Sequence, residues 1–272
     1  GDESNDVEAA RRRLERMMGG DDVSPEDGAF PTRRRPSARG VARPSSSSSS
    51  PDGRLLPLRW EEDLDRPHPL TAISRERREA EIALVSSLAE GDDALSDLWS
   101  LWFSERGPEA AAELLQAEEL AGLGPDGWDE AERRLREMID EHGVHWSEPV
   151  NRLATLLYQR GRLPESRALC ELVLAVKPWH FGALSGVVLV CAGMGDVSAA
   201  RLWADRRLPP VQPVGDNARR AEWVRRATGE AERSLRRAEE AVKEGFGVLD
   251  KYEDDARREA KPKDRQFGFD VE

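Results

Sequence analysis

Cysteine is scarce in this chain. Only Cys170 and Cys191 are present, too few for a disulfide framework. Both fall on apolar positions of helical patterns, where reduced core thiols are expected. Long apolar runs are also missing: the nearest, Gly186–Gly195, falls well short of the ~20 residues that a membrane-crossing helix requires. There is no G-x-x-x-x-G-K-[ST], G-x-G-x-x-G or G-x-S-x-G, so neither a phosphate cradle nor a nucleophile elbow is readable. Histidine is rare as well. His142 and His145 beside Glu141 are interrupted by Gly143 and lack third and fourth ligands nearby, so no metal site is expected. A Cys170–His180 nucleophile would need a thiol outside the core. No catalytic residue, cofactor or metal is therefore assigned.

What is abundant is charge. Charged residues make up 35% of the chain, and the formal net charge is −12. That balance disfavours nucleic acid as the main partner, because phosphate binding needs clustered Lys and Arg. The distribution is uneven: residues 31–59 hold seven Arg and a single acid, Asp52. Paired carboxylates occur on charged helix faces, where a solvated surface is the ordinary explanation.

Residues 1–69 read as a largely disordered tail. Asp6–Met18 has a short helical pattern, with Val7, Ala10, Leu14, Met17 and Met18 on one stripe. Residues 21–52 are rich in Gly, Pro, Arg and Ser and cannot bury enough apolar surface to offset ordering entropy. Thr32–Ser50 has the Arg/Ser composition of an organelle transit peptide, but it follows an acidic start and reads as linker. Leu55–Leu70 is expected to be extended, with Trp60 packing on the first helix.

From Thr71 the chain reads as helical. One helix is expected over 71–90, stopped by Gly91. Asp92 or Asp93 should cap a second, carrying Leu98, Trp99, Trp102 and Phe103. Glu109–Ala121 and Trp128–His142 form a weaker pair. Residues 147–213 carry the clearest pattern. Leu153, Ala154, Leu157, Gly161, Ser166, Cys170, Val173 and Leu174 are answered 34 residues later by Val187, Val188, Cys191, Gly195, Ala200, Ala204, Arg207 and Leu208. Gly161 and Gly195 can end the first helix of each unit in a left-handed conformation. Pro164 suits the start of the next helix.

A 34-residue self-similarity is the tetratricopeptide (TPR) signature. The predicted fold is an all-α, TPR-like right-handed helical-repeat array over 70–213, its best repeats at 147–180 and 181–213. A C-terminal capping helix over 214–246 should cover the last repeat, with a coiled-coil arm as the alternative, followed by a flexible tail over 247–272. The inner groove should be lined by Glu148, Asn151, Thr155, Tyr158 and Gln159 in one unit and by Gly182, Ser185, Leu189 and Ala192 in the next. Asn151, Thr155, Tyr158, Gln159, Ser185 and Leu189 are the candidate partner-binding residues. Trp179-His180-Phe181 reads as a packing wedge between repeats.

The stretches EPVNRLATLLY and VKPWHFGALSG, with LSDLWSLWFSERGP upstream, resemble TPR-like proteins of plant and algal chloroplasts over roughly 70–226. The resemblance implies a non-enzymatic scaffold or adaptor in a plastid, binding a helical or extended protein segment during assembly of a complex. Chaperone-binding members hold a carboxylate with a Lys/Asn/Arg clamp. Here only Asn151 fits, so that role is not expected. An RNA-associated organellar factor using residues 31–59, and a structural subunit of a larger assembly, are the alternatives.

Overall fold

The computed structural model describes residues 56–65, 70 and 72–244. The 6–18 helix, the 21–52 linker and the 247–272 tail lie outside the described residues. Among the described residues there are ten α-helices, one 3-10 turn and no strand. Helix α1 is Leu58–Glu62 and continues into the turn Asp63–Asp65. Eight helices then form four successive pairs. These are α2 (Ala72–Ser87) with α3 (Ala94–Phe103), α4 (Pro108–Gly122) with α5 (Pro125–His142), α6 (Ser147–Gln159) with α7 (Leu163–Val176), and α8 (Phe181–Gly193) with α9 (Val197–Ala204). Helix α10 is Ala218–Lys243.

The third and fourth pairs reproduce one local geometry. Gly161 and Gly195 have φ of 75° and 77°, values that only glycine adopts cheaply. The chain closes each turn with equivalent bonds. Arg162 N donates to Leu157 O and Asp196 N to Cys191 O, each at 2.9 Å. This is the helix stop that glycine just past a C-terminus produces. Helices α6 and α8 both run for 13 residues.

Neighbouring pairs interlock through α5 on α6, α7 on α8 and α6 on α8. Leu153, Ala154, Leu157, Leu169, Cys170 and Val173 are buried at this seam, as are Val187 and Cys191. The predicted stripe of α5 is buried too: Ala131, Leu135, Met138 and Ile139. Charge ties the same seam from outside. Arg162 of the α6–α7 turn donates to Glu132 of α5 at 2.7 Å and to Glu165 of α7, and Arg160 meets Glu132 at 3.0 Å.

Four expectations are corrected. Trp60 is buried, but it docks on α5: its Nε1 donates to Asp140 at 2.8 Å, and Arg136 lies over its ring. The segment around it is helical at 58–62 rather than extended. Asp93 does hold the N-cap position of α3, though without a side-chain bond, and Asp92 pairs with Arg220 at 2.6 Å. The 34-residue frame is lost after Ala204. Helix α9 has 8 residues and buries none of them, and the chain leaves the helix before Arg207 and Leu208 are reached.

The fourth correction concerns α10, which packs along α2 rather than over the last pair. Of the stripe that its spacing marks, Trp223, Ala227, Ala231, Leu235, Ala238 and Val242, four are buried, but Leu235 is half-buried and Val242 is 42% exposed; Arg220 and Val224 are buried as well. Pro209, Pro210 and Pro213 lead the chain away from α9, and Arg220 anchors the new course. Its guanidinium donates to Leu88 O and to Gly91 O at 2.7 Å, just past the C-terminus of α2, and to Pro209 O at 2.8 Å. A cation on exposed carbonyls at a helix end is favoured by charge and hydrogen bonding alike. Arg75 and Glu239 add an ion pair at 2.6 Å further along.

Candidate functional site: a half-open groove over a buried polar clasp

The first helices of the last three pairs lie side by side, and α3 lies across them near the starts of α6 and α8. Trp99 fills this crossing. Its ring meets Phe181 edge-on at 5.0 Å, and the Arg152 guanidinium sits over it at 5.2 Å. A Cβ on Gly182 would stand 2.6 Å from Trp99 Cη2, so only glycine lets the ring this close. Trp102, on the same face of α3, stacks on His180 with centroids 4.5 Å apart.

Under these rings runs a chain of buried charges. Glu81 of α2 accepts from Trp102 Nε1 at 2.6 Å, Trp179 Nε1 at 2.9 Å and Lys177 Nζ at 3.2 Å. Lys177 also meets Glu105 at 3.3 Å. Burial disfavours both charges, yet the carboxylates of Glu105 and Glu81 raise the Lys177 ammonium above its ordinary value. Burial likewise works against the Glu105 carboxylate, but the Lys177, Arg106 and Arg78 cations hold it low. Beside the clasp is a cavity of about 380 Å³, walled by Ala231, Ser234 and Ala238 of α10 and by His145, Lys177 and Trp179.

A second buried pair continues the chain. His180 Nδ1 accepts from Ala183 N at 3.1 Å, capping α8, so Nε2 carries the hydrogen and donates to Glu148 at 2.8 Å. Arg152 links Glu148 at 3.3 Å to Glu118 of α4 at 2.7 Å. The Glu–His contact has the outline of an acid–base pair, but both side chains are fully buried and both ring nitrogens are occupied. It holds helices together. Burial, reinforced by Glu171, pushes the Cys170 thiol up to about 12, so a Cys170–His180 nucleophile is not assembled. His145 bonds to Asp63 O and His142 packs on Trp146. Among the described residues no cluster of three metal-ligating side chains occurs.

The groove residues named from sequence separate into two sets. Glu148 and Gly182 lie under α3 and Asn151 is only 6% exposed, so none of the three faces a partner. Ser185 is half-buried; Thr155 is exposed, and its hydroxyl donates to Asn151 O at 3.1 Å. Beyond the α3 crossing the face opens. Tyr158 is 39% exposed and Leu189 56%, with Gln159, Ala192 and Gly193 exposed beside them. Gly193 lets the two helices close up there: a Cβ on it would meet Leu163 Cδ1 at 3.3 Å and Tyr158 Cε2 at 3.9 Å. Helix α8 contains no charged residue over Phe181–Gly193. A helix apolar all round is expected to be covered on every side, yet this one leaves a face open.

Sequence reasoning missed Glu81, Lys177 and Arg220. Two carried a readable sign. Glu81 falls four residues before Val85 and seven before Leu88, on the apolar stripe itself, and Arg220 falls three before Trp223 and seven before Ala227. Against family models, curated proteins and solved structures, the chain shows no match. No helix among the described residues is long and apolar enough to cross a membrane.

Proposed function

We propose that the protein is a non-enzymatic adaptor of TPR-like architecture that binds a helical or extended segment of another protein. The docking surface is the open half of the groove: Tyr158, Gln159, Leu189, Ala192 and Gly193. One observation carries this reading: a helix without a single charged side chain, α8, exposes part of its surface. Exposed contiguous apolar surface on an otherwise highly charged protein is a mark of an interaction site. The 34-residue register and the paired helices support a repeat array as its scaffold. On the chloroplast-type resemblance of EPVNRLATLLY and VKPWHFGALSG alone, we extend the role to assembly of a plastid complex.

The test is affinity purification of the full chain beside a Tyr158→Ala/Leu189→Arg variant. Loss of the co-purifying partner from the variant, with unchanged thermal unfolding, is the expected result. Retention of every partner removes the groove from consideration. Organelle fractionation tests the location separately.

A further inference from the structure

The strap that joins α9 to α10 reads Arg206-Arg207-Leu208-Pro209-Pro210-Val211-Gln212-Pro213. Proline fixes φ near the polyproline II value at Pro209, Pro210 and Pro213. A following proline also holds Leu208, Pro209 and Gln212 in the extended region. Of residues 208–213, only Val211 escapes both constraints. Accordingly, residues 208–212 form no helix, turn or bend.

A polyproline II helix has three residues per turn, so Arg207, Pro210 and Pro213 fall along one edge. All three are exposed, whereas Leu208 and Pro209 are half-buried. Arg207 and Pro210 line one shallow hollow of about 510 Å³ with Ala204 of α9 and Arg219 of α10. Two acids share that hollow: Asp92 is taken by Arg220 at 2.6 Å, and Asp205 forms no ion pair among the described residues. Arg207 forms none there either. The strap is also held in place. Trp223 Nε1 donates to Arg206 O at 2.8 Å, and Arg220 donates to Pro209 O at 2.8 Å. Further on, Gln212 N donates to Asn217 Oδ1 at 2.8 Å. A strand fixed in this way has already lost much of the conformational freedom that binding takes away.

We propose that this strap is itself a ligand, and that residues 207–213 dock in the aromatic-lined groove of an SH3-type domain on a partner protein. A basic residue is followed at three-residue steps by two prolines. Pro210 and Pro213 seat between aromatic rings, where a preformed polyproline II strand is recognised at low entropic cost. Arg207 meets carboxylates at one end of the groove, and that charge-assisted contact sets the direction in which the strap lies. The site is separate from the Tyr158/Leu189 groove, in which this protein is the receptor, and does not depend on it.

The probe is a panel of purified SH3 domains with carboxylates beside the aromatic groove, titrated with the full-length protein by isothermal titration calorimetry. Saturable binding to members of the panel is expected, with a synthetic peptide of residues 206–214 competing for it. Pro210→Ala/Pro213→Ala and Arg207→Glu should each weaken binding by roughly tenfold or more. Tyr158→Ala/Leu189→Arg should leave it unchanged. Failure of every domain to bind overturns the proposal, as does binding that ignores the proline or the Arg207 substitutions. A peptide that binds where the full-length protein does not overturns it too, since the array then covers the edge. The three substituted positions are exposed, and circular dichroism with unchanged urea midpoints confirms that the variants fold.

Discussion

The third and fourth helix pairs start from the same local instructions and reach different ends. Their first helices have equal length, their turn glycines have the same φ, and their turn hydrogen bonds superimpose residue by residue. Yet α7 buries Leu169, Cys170, Leu172, Val173 and Leu174, whereas α9 buries nothing. The difference lies in what comes next. Helix α7 is followed by a helix that packs on it, and α9 by a proline-rich strap that carries α10 elsewhere. In a repeat array a unit's stability is shared with its neighbour. A correct local pattern without a neighbour leaves an exposed surface.

The sharpest way to break the comparison is to remove the clasp that secures the third pair. Glu81→Ala would leave two indole N–H groups buried without their acceptor and take from the Lys177 ammonium one of its two carboxylates. We expect a loss of about 3–5 kcal/mol in urea denaturation. Next comes a matched pair 34 residues apart. Leu169→Ala should cost about 2–4 kcal/mol through cavity formation; Trp203→Ala, at the equivalent place on α9, should cost under about 1 kcal/mol.

Acid should act on the entrance to the third pair. Burial lowers the His145 pKa to about 4 from its ordinary 6.5, against the opposing bond to Asp63 O. Between those values the unfolded chain binds the proton and the folded one does not. The stability is therefore complete above about pH 6.5 and falls as pH drops toward 4, by roughly 3 kcal/mol in all. His145→Asn should flatten that slope in a pH series of denaturation midpoints. A smaller contrast is expected at the turns. Gly161→Ala should cost about 1 kcal/mol of global stability. Gly195→Ala should mainly accelerate amide exchange in α9, since that helix opens with little lost burial. Smallest of all, Leu202→Ser should shift global stability by less than about 0.5 kcal/mol, and an equal cost to Leu169→Ala would show that α9 is covered after all.

Much of the helical layout was legible because it rests on near neighbours in sequence. The 34-residue echo placed both turn glycines, the stripes of α5 and α6 predicted their buried faces, and that of α10 did so except at Leu235 and Val242. The Trp179-His180-Phe181 wedge was read as packing between repeats, and His180 does cap α8 and stack on Trp102. The candidate groove was only half legible. Glu148 and Arg152 occupy the same face as Thr155 and Gln159, and nothing local separates the two halves. Trp99 does, from a helix about fifty residues upstream, by lying over one half and not the other.

By itself, then, the sequence determined that most of these residues would be helices, where the helices of 147–193 would stop, and which stripes α5 and α6 would bury. Helical periodicity and the φ freedom of glycine act within one or two turns of chain. Only the tertiary structure decided which faces are finally covered. Glu81 and Lys177 meet across 96 residues of chain and Arg220 reaches Leu88 O across 132. Such pairings depend on where α3 and α10 come to rest. Once Arg220 and the α10 stripe are satisfied on α2, that helix cannot also cover α9. The unburied α9 is the surface that this competition leaves exposed.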